Sequence, residues 1–246
     1  MPWIDNREPD ALAPDGIAQL AYLSRPPTGR YDEPEHGAPV PQAFKVANGP
    51  DKAPLRTHFH TVDQFQYIAS GSGKLGAHAV HRGSVHYADR LTPYGPLAPG
   101  AEGFAYVTLR PTTDTGISYM PEAREELRQG LEAAHQAAGD RRSVTLDLTG
   151  SAGDADDGTW HDVLADADEL RVATADIPAG GNLDSGEIAG DGAFLVVVDG
   201  SVDDGAEHPS GSLRWCERGE RVPLRAGAAG ARVARLQFPH RAPAGV

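Results

Sequence analysis

The chain has one cysteine, Cys216, so no intrachain disulfide can form and a cysteine-rich zinc site is excluded. Lysine is nearly as scarce, with three against 19 arginines. At a formal net charge of −13 the chain lacks the clustered bases that grip phosphates, which argues against a nucleic-acid partner. No stretch approaches the ~20 apolar residues of a membrane span, and Met1 to Asp10 show no basic patch followed by an apolar run. The expectation is a soluble, cytoplasmic protein with no membrane partner. Between Asp147 and Glu207 sixteen acids stand against a single base, Arg171, a pattern that reads as solvated surface.

Glycine and proline are abundant. Their 29 and 20 residues interrupt the sequence so often that long helices have little room, and short β-rich runs recur between the turn signals. The fold is expected to be mainly β. Strands are predicted at Gln19–Leu23, Gln42–Val46, Gln64–Ala69, Lys74–Val80, Ser84–Ala88 and Phe104–Leu109, then at Ser143–Leu148, Leu170–Ile177, Ala193–Val198, Leu213–Cys216 and Ala231–Phe238. One segment, Pro121–Ala138, reads as a helix: proline opens it, Glu122, Glu125 and Glu126 fill its first turns, and Gly139 follows. Leu127, Leu131 and Ala134 are spaced for a packed stripe, with His135 on the surface. The helix divides the chain into modules at 1–120 and 143–246, with 121–142 between them. Residues 1–16 and 240–246 are expected to be loosely anchored, and Ser151–Gly158 to be a surface loop.

Five of the ten histidines fall between His58 and His86. Two residues apart on a strand, His58 and His60 would project to one face and could share an ion, with Phe59 on the other face. The run Thr57-His58-Phe59-His60-Thr61-Val62-Asp63-Gln64, with Gly71 seven residues on, resembles the first motif of the cupin family, H-x-H, three or four residues, Glu, six residues, Gly. Gln64 stands at the glutamate position. The second cupin motif is half present: Pro93-Tyr94-Gly95 is followed by Pro96-Leu97-Ala98, without its histidine. His86, just upstream, is the expected replacement.

The resemblance implies two cupin-type β-sandwich (jelly-roll) modules with one short helix between them. It implies a divalent metal ion at His58, His60, Gln64 and His86, Fe(II) favoured, with Zn, Ni, Mn or Cu as alternatives. Gln66, on the same face as Gln64, could supply the oxygen instead, with Asp63 facing away. Cupins of this build include dioxygenases, isomerases and lyases. The expected function is therefore a metal-dependent enzyme acting on a small organic substrate, an Fe(II)-type oxygenase first. A non-catalytic module that binds a small ligand or metal is the alternative, and a homodimer is a further expectation.

Tyr94 reads either as a pocket hydroxyl or as part of a stiff Pro-Tyr-Gly-Pro turn. Arg110, ending a strand, would hold a substrate carboxylate or a neighbouring acid. Both are candidate catalytic residues. His78 and His81 are expected outside the ligand set, and Gly71-Ser72-Gly73 as a hairpin turn. In the second module Ala179 to Asp184 carries no histidine where a cupin would have them, so that module is expected to be degenerate and metal-free. Trp160, Trp215 and Cys216 are expected in the core. No nucleophile elbow, phosphate loop or dinucleotide fingerprint is present.

Overall fold

The computed structural model describes the chain except residues 9–10, 14–15, 24–38, 115, 135–140, 151–157 and 242–246. It divides into two compact units, one formed by Glu8–Asp147 and one by Met1–Arg7 with Leu148–Val246. Among the described residues no helix is long and apolar enough to cross a membrane.

The N-terminal unit is an antiparallel sheet in the order β1 (Ile17–Leu23), β2 (Gln42–Asn48), β7 (Leu97–Arg110), β4 (Gln64–Leu75), β6 (Ser84–Ala88) and β9 (Ser143–Asp147). β5 (His78–His81) pairs with β4, and β3 (His58–Phe59) pairs separately with β8 (Ser118–Tyr119). Residues directly opposite in neighbouring strands share a face. The register therefore lines up Phe44, Thr108, Gln66, His86 and Thr145 as one row across five strands. One step along, Gln42 lies opposite Arg110. Toward the other end the same face is apolar, with Val46, Ile68, Leu97, Phe104 and Tyr106 in one buried cluster. One face of a single sheet thus changes from hydrocarbon to amide, imidazole and guanidinium.

Gly71 is not in a turn, contrary to the sequence expectation. β4 runs on to Leu75, and Gly71 sits where it meets β7 most closely: at φ +71°, a Cβ would lie 2.3 Å from the Gly103 carbonyl oxygen and 2.8 Å from Phe104 Cα. Only a residue without a side chain fits. The helix, α1 (Arg124–Ala133), is shorter than predicted and has no buried residue, although Leu127 and Leu131 are half-buried along the expected stripe. It belongs to the N-terminal unit, where Gly130 packs on the Leu91 side chain. His135 lies outside the described residues, as does Ser151–Gly158 apart from Gly158.

The C-terminal unit is a second sheet in the order β10 (His161–Ala165), β11 (Arg171–Ile177), β16 (Pro223–Gln237), β13 (Ala193–Asp203) and β14 (Glu207–Pro209). β12 (Asn182–Asp184) pairs with β16, and β15 (Leu213–Cys216) with β13. Its core holds Ile177, Leu195, Val197, Val202, Leu224 and Val233, with Cys216 buried among them and Trp160 packed against the edge. Trp215 is buried against Phe194.

Two boundaries differ from the sequence expectation. The strand at 143 pairs with β6 and so completes the first module instead of opening the second. The proline-rich N-terminus is anchored: Trp3 enters the C-terminal core, Ile4 bridges to Leu213, and Asp5 accepts hydrogen bonds from His208 Nδ1 at 2.7 Å and Ser212 Oγ at 3.2 Å. A large apolar side chain outweighs local turn composition once a core is within reach.

Candidate functional site

The polar end of the N-terminal sheet is closed by the short β3, whose His58 exchanges backbone hydrogen bonds with Tyr94 at 3.1 and 2.9 Å. That bridge sets the His58 and Tyr94 rings 4.6 Å apart, and the His58 and His60 rings 5.2 Å apart. Both imidazoles are buried, His58 at 1% exposure and His60 at 7%. Arg110, at 2%, reaches into the same space from the end of β7.

The hydrogen bonds here have fixed directions. His58 Nδ1 lies 2.7 Å from the Arg56 carbonyl, which can only accept, so Nδ1 carries the proton and Nε2 is an acceptor. Nε2 takes the hydrogen of the Tyr94 hydroxyl at 2.9 Å. The Tyr94 oxygen accepts in turn from Gln64 Nε2. The other end of the Gln64 amide, Oε1, accepts from Nε and Nη2 of Arg110, each at 3.1 Å. Arg110 also donates to Gln42 Oε1 at 3.3 Å and pairs with Asp114 Oδ2 at 3.3 Å. Asp114 Oδ2 accepts from His60 Nδ1 at 2.6 Å, with the Gly116 carbonyl 2.7 Å from the same nitrogen. His60 Nε2 is thereby left as an acceptor, 3.4 Å from Arg110 Nη2.

Burial sets the charges. Desolvation, then the neighbouring His60, lowers His58 to about 4, and desolvation, then His78, lowers His86 to about 3. His60 is lowered in the same way, by burial first and Arg110 second, against the pull of Asp114. Burial raises Tyr94, which stays a phenol. Although burial pushes the Asp114 carboxyl up, the His60 hydrogen bond and Arg110 hold it below the usual carboxylate range. At neutral pH the cluster therefore holds one cation and one anion, paired.

The structure brings together His58, His60, Gln64, Tyr94 and Arg110. Of the two readings for Arg110, the neighbouring acid is the one found, and that acid is Asp114. His86 faces the same interior with its ring 5.1 Å from Tyr94, but Thr145 Oγ1 at 3.0 Å and Ser143 Oγ at 3.5 Å tie it to β9. Asp63 turns away, accepting the backbone N–H of Arg90 at 2.8 Å. His78 and His81 are exposed. Sequence reasoning missed Gln42 and Asp114. The signal for Asp114 was Arg110 itself, since a buried guanidinium requires an acid within reach.

The residues present do not fit a resident divalent ion. Among the described residues no three His, Cys, Asp or Glu are grouped to hold one. Of the donors expected for the ion, Tyr94 occupies His58 Nε2 and Arg110 occupies Gln64 Oε1, while His60 Nε2 faces Arg110 Nη2 at 3.4 Å. Turning the Gln64 amide over would aim its NH2 at the Arg110 donors. An added 2+ charge beside a buried guanidinium, with Asp114 the only carboxylate in the network, would be heavily under-neutralised.

Beside this network lies a cavity of about 260 Å³. Phe44, Val46, Leu55 and Ile117 form its apolar wall, and His58, His60, Gln66, Thr108 and Arg110 its polar one.

No family model and no curated protein matches the sequence. Solved structures do match in fold. A candidate dioxygenase from Nostoc punctiforme aligns over 94% of this chain and 81% of its own at TM-score 0.60 and 15% identity. The pirin YhhW of Escherichia coli, solved with nickel(II), aligns over 92% and 93% at 0.54 and 13%, and GK1651 of Geobacillus kaustophilus over 98% and 95% at 0.57 and 12%. The alignments span both units, each a single antiparallel β module with the H-x-H run in the first, and the chain shares the fold of these structures along most of its length.

Proposed function

We propose that the N-terminal module binds a small organic molecule in the cavity beside His58, His60 and Arg110, and that it does so without a resident metal ion. The observation that carries this reading is the place of Arg110. Its guanidinium stands among His60, Gln64 and Asp114, where metal donors would converge, and its charge is already matched. The cavity is just below the ~300–1,000 Å³ of sites that take drug-sized ligands, and it combines an apolar wall with a few convergent polar groups. The experiment is elemental analysis of the purified full chain, followed by thermal-shift measurement against a library of small organic molecules. Iron, nickel, zinc, manganese and copper far below one per chain, with selective stabilisation by library members, supports the reading. Stoichiometric metal overturns it.

A second reading, a metal-dependent oxygenase, is favoured by one feature: two unprotonated imidazoles, the form that binds metals, with rings 5.2 Å apart. It requires Arg110 and Tyr94 to leave their present partners. Stoichiometric iron together with oxygen uptake on a small substrate would establish it.

A further inference from the structure

His208, on β14, is 9% exposed and meets a carboxylate at each ring nitrogen, Asp5 at 2.7 Å from Nδ1 and Asp204 at 3.0 Å from Nε2. A neutral imidazole has one N–H to donate and a carboxylate has none to return, so both contacts are satisfied by the doubly protonated ring alone. The ring in this place is an imidazolium. Burial by itself would lower its pKa, but the hydrogen bonds to Asp5 and Asp204 outweigh it and hold the group above 6.5. The two acids come from different elements, Asp5 from the N-terminal segment and Asp204 from the bend after β13. Of the acids beside them, Glu207 accepts from Ser201 Oγ at 2.7 Å and Asp203 from the Gly205 N–H at 2.8 Å.

We propose that His208 is a proton-operated latch on the segment Met1–Arg7, closed while the ring carries its second proton and loosened when that proton leaves. Through Asp5 the ring acts on a segment that places Trp3 in the C-terminal core and bridges Ile4 to Leu213, and the Trp3 ring also stacks on it with centroids 5.9 Å apart. Loss of the proton leaves one carboxylate facing a lone pair. Asp204 stays close because it belongs to the same β13–β14 hairpin as His208, so the contact to Asp5, 203 residues away in sequence, is the one that gives. A histidine whose pKa is raised by folding adds stability that is full below about 6.5 and is lost as pH rises through the folded value. Alkali opens this latch, the reverse of the sign that burial gives His58 and His86. The device lies within the C-terminal unit and stands whether or not the first module binds a ligand.

The test follows two signals in the full chain from pH 5 to pH 9: the ring nitrogens of His208 by NMR of 15N-histidine-labelled protein, and hydrogen exchange of the Ile4 amide, which donates to the Leu213 carbonyl at 2.8 Å, corrected for intrinsic exchange. Both nitrogens are expected to be protonated at pH 6, and Ile4 protection to fall at least about threefold as pH passes the His208 midpoint, a modest step because both carboxylates are half-exposed. His208→Gln is expected to remove the step and to leave Ile4 at the low-protection level at every pH. Asp204→Asn, which keeps the shape and removes one charge, should move the His208 midpoint down and carry the Ile4 step with it, so the inference stays testable if the glutamine variant does not fold. A single ring proton at pH 6, Ile4 protection that does not change across the His208 midpoint, or a step that survives in His208→Gln or stays in place in Asp204→Asn overturns the inference.

Discussion

The two modules share an architecture and fill it differently. The C-terminal unit has a hydrocarbon cluster, from Ile177 and Leu195 to Leu224 and Val233, and its buried Arg235 and Gln237 donate to the backbone carbonyls of Ser185 and Glu169. The N-terminal unit sets Gln42, Gln64, Gln66, His86 and Arg110, all buried, beside its apolar cluster. Hydrocarbon packing tolerates loss in proportion to the volume removed, whereas a buried polar network depends on every member having its partner. The hydrocarbon cluster of the second module therefore depends on packed volume, and the side-chain network of the first on pairing.

Mutation can sharpen that contrast. Arg110→Ala leaves Asp114 buried without its cation and is expected to cost about 3–5 kcal/mol, measured by urea unfolding. A loss below about 1 kcal/mol would show that the polar interior is not a network. Leu195→Ala in the second module should cost about 2–5 kcal/mol by the same measurement, yet leave ligand affinity in the first module unchanged. A change in affinity would break the division of labour.

Acid should act on the first module through its histidines. His58 sits at about 4 in the fold against 6.5 when exposed, and His86 at about 3. Between those values and 6.5 the unfolded chain binds more protons, so stability rises with pH there and is lost as pH falls below about 6.5. By pH 5 the loss should be on the order of 2 kcal/mol per histidine, read from urea midpoints. Replacing His58 with Gln should flatten the profile. An unchanged profile would mean that the imidazole is hydrated in solution. The smallest effect is expected from Tyr94→Phe. It removes the hydroxyl between Gln64 and His58, but the freed amide N–H can turn toward His58 Nε2. The loss should sit near the lower end of ~1–3 kcal/mol by urea unfolding, and a loss well above that range would show that the two groups do not re-pair.

Much of this contrast was legible in the sequence. Alternating patterns mark the inner strands of both sheets, and the H-x-H spacing singles out His58 and His60. Local patterns did less well where a contact spans the chain. Trp3 looked like part of a loose end because its proline-rich neighbours carry no sign of a core some 200 residues away. Gly71 looked like a turn because glycine marks close backbone approach and turns alike. Asp114 stood outside any motif, and its partner His60 is 54 residues distant. The strand at 143 belongs to the first module although it follows the helix, because its partner β6 lies upstream of that helix. The cupin motif did place Gln64 correctly in space. It could not show that the amide would face a guanidinium.

The central claim is that Arg110 holds the position a metal ion would need. Titration of the metal-free full chain with Co(II), followed by visible absorption, tests it most directly. The account expects no ligand-field bands to develop as cobalt is added. Bands that grow and saturate at one equivalent would contradict it.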